Sequence, residues 1–143
     1  MSNPVVVEQF STAKQAAVYR HLVESDLWVL WQGVSATLEA RPGGLFLMQT
    51  PDGRTARGEF IELVPPERVV FSWGWTDVPG MPPGSTTVEI DLIPHDDGTL
   101  IRLRHVGVPP EEATMHEMGW RHYLTRLSAA SGGQNPGPDA GPG

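Results

Sequence analysis

Cysteine does not occur in this 143-residue sequence, and lysine occurs once, at Lys14. The first absence removes disulfides, thiol nucleophiles and thiolate metal sites. The second, with a formal net charge of −7, leaves no cluster of cations able to hold a phosphate backbone, so no nucleic-acid partner is expected. Apolar runs are short, and none approaches the ~18 residues that a membrane-crossing helix requires. The N-terminus has neither the charged start nor the apolar stretch of a secretion signal. A soluble, cytoplasmic protein without membrane insertion is therefore expected. Catalytic signatures are also missing: there is no glycine-rich phosphate loop ahead of a helix and no G-x-S-x-G elbow. His116-Glu117 begins like a zinc-binding H-E-x-x-H helix, but the next histidine, His122, falls at i+6 and turns away. No metal or cofactor is expected, and no catalytic residue can be named.

What is present begins to make sense from the C-terminal end. Pro109-Pro110 followed by Glu111-Glu112 is a helix start, because a first-turn proline loses no hydrogen bond and carboxylates favour the positive end of the helix dipole. The helix should run to about Ala130, where Ser131-Gly132-Gly133 stops it. A step of about 100° per residue puts His116, Gly119, Trp120, Tyr123, Leu127 and Ala130 on one stripe, opposite Glu117, Arg121, Thr125 and Ser128. Such a one-sided helix, roughly 30 Å long, needs a broad apolar surface to lie on.

The rest of the chain supplies strands. Residues 5–10 form a β-branched first strand, with Ser11-Thr12 able to cap a helix over 13–23. A second short helix over 27–31 closes at Gly33. Strands then follow over 34–40, 45–50, 55–64, 68–75, 86–93 and 99–106, separated by turns such as Arg41-Pro42-Gly43-Gly44 and Pro51-Asp52-Gly53. The alternation of Val88, Ile90 and Leu92 with Thr87, Glu89 and Asp91 is the cleanest, giving one buried and one wet face. The phase of residues 55–64 is ambiguous, and Glu62 could point inward with Phe60. The order β-α-α-β6-α predicts an α+β fold, a curved antiparallel sheet of about seven strands around a long C-terminal helix. One domain over 1–130 is expected, then a Gly/Pro-rich tail over 131–143 with no apolar anchor, read as disordered.

Several stretches carry a resemblance. They are Val18-Tyr19-Arg20 to Leu22 with Trp28 to Trp31, Arg41-Pro42-Gly43-Gly44, and Pro65-Pro66-Glu67-Arg68-Val69-Val70-Phe71-Ser72-Trp73. Pro82-Pro83-Gly84-Ser85, Gly98-Thr99 with Leu103 and His105, and Gly119-Trp120 with Tyr123-Leu124 and Leu127 complete the set. In this order they resemble the helix-grip proteins of the START-like (SRPBCC) superfamily, in the bacterial branch related to the activator of the heat-shock-protein-90 ATPase. The prolines usual between first strand and first helix are replaced here by Ser11 to Gln15. The resemblance implies a cavity between long helix and concave sheet that takes lipids, polyketides or other apolar molecules, and in a few members supports cyclisation. Eukaryotic co-chaperones of the family carry a further N-terminal domain not seen in this sequence, so a co-chaperone role is not implied.

The aromatic residues are the candidates for such a site. All five tryptophans, Trp28, Trp31, Trp73, Trp75 and Trp120, fall on inward faces or at the helix–sheet seam. They are either core residues or, with Phe46, Met48, Phe60, Phe71 and Tyr123, the walls of a ligand cavity. Ile90, Leu103 and Leu127 share those faces. His105 and His116 are either hydrogen-bonded core histidines or the polar end of the same cavity, orienting a carbonyl or acting as acid or base. Gly119 costs its helix about 1 kcal/mol, for which a closely crossing strand or cavity volume would be the reason. A small apolar molecule is the expected partner. A cyclase- or hydrolase-like enzyme using a cavity histidine and a protein-binding, co-chaperone-like module are the alternatives.

Overall fold

The computed structural model describes residues 4–142. Residues 1–3 of the expected domain and 143 of the expected tail lie outside them. In chain order the elements are β1 (Val5–Ser11), α1 (Gln15–Val23), α2 (Ser25–Trp28), β2 (Ser35–Leu38), β3 (Leu45–Gln49), β4 (Thr55–Val64), β5 (Arg68–Trp73), β6 (Thr86–His95), β7 (Gly98–Val106) and α3 (Pro110–Ser131). The strands make one seven-stranded sheet in the order β1-β7-β6-β5-β4-β3-β2, and every neighbouring pair is antiparallel. Strands joined by short turns pair with their sequence neighbours. β1, cut off from the others by α1 and α2, joins the far edge beside β7. The expected α+β helix-grip architecture is the one observed.

The boundaries shift where local chemistry differs from pattern. Ser11 does not cap α1; it ends β1, and its hydroxyl accepts the Ala13 N–H at 3.2 Å and pairs with the Ser131 hydroxyl at 2.9 Å. The second helix starts earlier and is shorter than expected, because Trp28 passes into a turn that Gly33, at φ +80°, closes. β5 stops at Trp73, and Trp75 keeps only an isolated bridge to Ala56.

β4 explains its own ambiguity. Its register against β5 breaks between Phe60 and Glu62, so one extra residue enters the strand and reverses the side-chain phase. Phe60 is buried, while Ile61 and Glu62 both face outward. Glu62 does not turn inward; it accepts a hydrogen bond from Arg68 at 2.8 Å on the convex face, where Asp91 also meets Arg68 at 2.8 Å. α3 lies along the concave face beside β1 and α1, and its buried residues are Trp120, Tyr123, Leu124, Leu127, Ala130 and Ser131.

The tail makes its own contacts. Residues 134–142 lie against the domain. Arg126 of α3 donates to the carbonyls of Pro136 and Gly137 at 3.1 and 2.7 Å, and Asp139 is buried. Polar bonds join this segment to the domain, from the Arg126 guanidinium and to the Asp139 carboxylate.

Candidate functional site

The space between α3 and the sheet has two parts. In the part nearer α2, aromatic rings meet directly. Phe46 stacks on Phe71 at 4.3 Å, Trp28 touches Trp31 at 4.4 Å, and Phe60 meets Phe46 edge-on at 6.1 Å. Met48, Ile90, Leu103 and Leu127 complete this mass with almost no exposure. These nine residues, offered by the sequence as core or as cavity walls, pack against one another and do not line the open space. They point inward, and what fills the space in front of each is another side chain.

In the other part a cavity of about 240 Å³ remains. Of the expected residues, Trp73, Trp75, His116, Trp120 and Tyr123 line it. His116, Trp120 and Tyr123 arrive together because positions three and four apart share a helix face. Trp73 and Trp75 share a side because strand residues alternate. Gly119 also lines the space, and a Cβ built there would meet nothing within 4 Å. The glycine therefore marks cavity volume; no strand crosses it closely.

Other walls come from residues outside the expected set. Thr50, Pro51, Asp52 and Arg54 reach in from the β3–β4 connection, and Gln32 from the turn after α2. Met115 of α3 and Ala140 and Pro142 of the tail complete the lining. Pro51, Asp52 and the tail residues lie in segments without periodicity, so the sequence pattern did not point to them. Arg54 sits 4.3 Å over the Trp75 ring, a cation–π contact, and reaches Asp77 at 3.3 Å. Gln32 and Trp73 each bring a buried polar atom without a partner, the amide oxygen of one and the indole nitrogen of the other.

The two histidines come together with ring centres 5.4 Å apart, yet they occupy different places. His116 lines the cavity, whereas His105 lies behind it, fully buried. Their protonation follows from the hydrogen bonds. Thr86 donates its single hydroxyl proton to the Trp73 carbonyl at 2.7 Å, so it must accept from His105 Nε2–H at 2.8 Å. His105 Nδ1 is then bare and accepts the Trp120 indole N–H at 3.0 Å. In His116 the order is reversed: Nε2 accepts the Trp75 indole N–H at 3.0 Å, and Nδ1–H donates to the Glu112 carbonyl at 2.9 Å.

Burial, and then the proximity of His116, push His105 down to about 3. Burial also lowers His116, against the opposing pull of the Glu112 carbonyl and carboxylate. Both rings are neutral at pH 7 and all four nitrogens are engaged. For His116 to take a proton from a guest, Trp75 would first have to let go. Among the described residues no group of three or more His, Asp or Glu is placed to hold a metal ion, and no helix is long and apolar enough to cross a membrane.

With this geometry established, known proteins add the family. The model of the activator of Hsp90 ATPase homolog 1-like proteins matches residues 12–132. The chain belongs to that family. The human activator of 90 kDa heat shock protein ATPase homolog 1 is 31% identical over 117 residues, which is 81% of this chain and 32% of that protein. The chain thus spans about a third of the length of the curated relatives it matches. An AHSA1-like protein of Rhizobium etli, solved in solution, is 43% identical with a TM-score of 0.77, covering 98% of this chain and 88% of that one. A putative protein of the dynemicin biosynthetic locus shares the fold, with a TM-score of 0.80 at 19% identity over 94% of this chain and 49% of its own. This family thus accounts for the helix-grip order read from the sequence.

Proposed function

We propose that the chain is a cytoplasmic receptor for one small, largely apolar molecule held between the first half of α3 and the sheet. The observation that carries this reading is the empty volume beside Gly119, walled by Trp73, Trp75, Trp120 and Tyr123. Aromatic walls with a few fixed polar groups are the usual make-up of small-molecule sites. The volume, about 240 Å³, falls just below the roughly 300–1,000 Å³ typical of such sites. A compact guest of one or two rings suits it. An acid–base role for His116 gains no support from a ring whose two nitrogens are already used.

Titration with methyl 2-naphthoate, followed by indole and amide N–H resonances, tests the reading. Saturable shifts are expected at Trp75 and Trp120 and not at Trp28 or Trp31. Gly119→Leu, which fills the gap, is expected to abolish them. Shifts that do not saturate, or that survive Gly119→Leu, would overturn the receptor.

A further inference from the structure

Asp139 is only 8% exposed, the one buried side chain among residues 134–142. Its carboxylate accepts the Gly33 N–H at 2.7 Å, the Tyr123 hydroxyl at 2.9 and 3.1 Å through its two oxygens, and the Gly141 N–H at 2.8 Å. A carboxylate leaves water only where charge-assisted bonds replace its hydration. Two of its donors belong to the domain. Gly33 is fixed at φ +80°, where a Cβ would lie 2.6 Å from the Gln49 carbonyl oxygen, and Tyr123 is anchored on α3. The third, Gly141, belongs to the tail and would leave with it.

This acceptor position adjoins the cavity. Tyr123 and Gln32, the neighbour of Gly33, both line the cavity, and Ala140 and Pro142 of the tail form part of its wall. The tail thus presents a carboxylate followed by small apolar groups, the chemical outline of an apolar acid. Beyond Asp139 it is attached through the neutral carbonyls of Pro136 and Gly137 on Arg126, which keeps a separate bond to the Trp31 carbonyl at 2.9 Å. Withdrawal would leave Gly33 N–H and Tyr123 O–H without their acceptor, and Arg126 nearby as a cation.

We propose that Gly33 N–H and Tyr123 O–H form a carboxylate-binding site at the end of the cavity, filled in this structure by Asp139 and taken by an apolar monocarboxylic acid when the tail withdraws. The inference rests on the receptor reading and gives it a ligand class. The tail is then a built-in competitor, which weakens binding of the acid by the fraction of time that it occupies the site. The chain carries both the site and its stand-in.

The test compares 2-naphthoate with its methyl ester at neutral pH, on the full chain and on Asp139→Ala. Removing a buried residue that only stabilised the fold would weaken binding. Removing a competitor is expected to tighten naphthoate about tenfold, to widen its advantage over the ester, and to move the Gly33 amide on saturation. Tyr123→Phe in the Asp139→Ala chain is expected to cut that advantage about tenfold while ester binding reports an intact cavity. Equal affinity for acid and ester in Asp139→Ala would overturn the carboxylate site and leave the receptor standing. An advantage that survives Tyr123→Phe would also overturn it. Binding of neither compound by any of these chains would remove both readings.

Discussion

The two ends of the space under α3 are built from the same kinds of residue and do opposite things. Around Phe46 and Phe71 the rings stack and leave nothing between them. Around Trp75 and Tyr123 the rings are held apart by hydrogen bonds, Trp75 to His116 and Tyr123 to Asp139, and a gap remains. An aromatic ring that must satisfy an N–H or O–H cannot take whatever pose fills space best. Phenylalanine has no such obligation. The filled end gathers Phe46, Phe60 and Phe71 with Trp28 and Trp31; the open end has Trp75 and Tyr123 tied to polar partners, and a glycine where a side chain would have closed it. Between them runs the seam of Thr86, His105 and Trp120.

Truncation should hurt the two ends unequally. Phe46→Ala removes a ring in contact with Trp28, Phe60, Phe71 and Trp73, and a cost of about 4 kcal/mol is expected. Trp75→Ala removes a larger ring that already faces empty space on one side, and about 2 kcal/mol is expected because fewer dispersion contacts are lost. Urea unfolding midpoints of the two variants measure this. Equal losses would mean that the open end is packed as tightly as the other in solution.

The seam can be probed by pH. His105 is neutral in the fold with its value lowered to about 3, whereas an unfolded histidine titrates near 6.5. As pH falls the unfolded chain binds the proton first. This contribution to stability is therefore full above about pH 6.5 and is lost progressively down to about 3. Near pH 4.5, about two units below the unfolded value, the loss is about 3 kcal/mol. The difference in unfolding free energy between the native chain and His105→Gln isolates it from the carboxylates. Parallel curves for the two proteins would show that water reaches the ring and that the seam is not sealed.

How far these features could be read from sequence depends on whether one element or several make them. β6 declared its buried face because Val88, Ile90 and Leu92 alternate without interruption. The α3 stripe was legible for the same reason, with period 3.6 in place of 2. β4 was legible in extent but not in facing, because the extra residue between Phe60 and Glu62 leaves no mark in composition. Core and cavity could not be told apart, since Phe71 and Trp73 sit on one strand, equally apolar and both inward, and only the side chains opposite decide what each one faces. Asp139 was invisible for another reason. Its partners, Gly33 and Tyr123, are 106 and 16 positions away, and a single carboxylate in a Gly/Pro stretch has no periodicity to betray it.

Gly119 gives the smallest and sharpest test, because here the two ends of the comparison pull on one atom. A methyl group added at this position meets nothing within 4 Å, so Gly119→Ala should carry no steric cost. It should also gain the helix preference of alanine, about 1 kcal/mol of stability. A glycine kept only for packing would show the reverse, a loss. The same methyl group projects into the space that a guest would occupy, so methyl 2-naphthoate should bind several-fold more weakly to the more stable protein. Thermal unfolding and the indole titration, run on one preparation, measure both quantities. A variant that is stabilised and binds unchanged would mean that the gap beside Gly119 is not where the guest sits, and the open end would then be unfinished core.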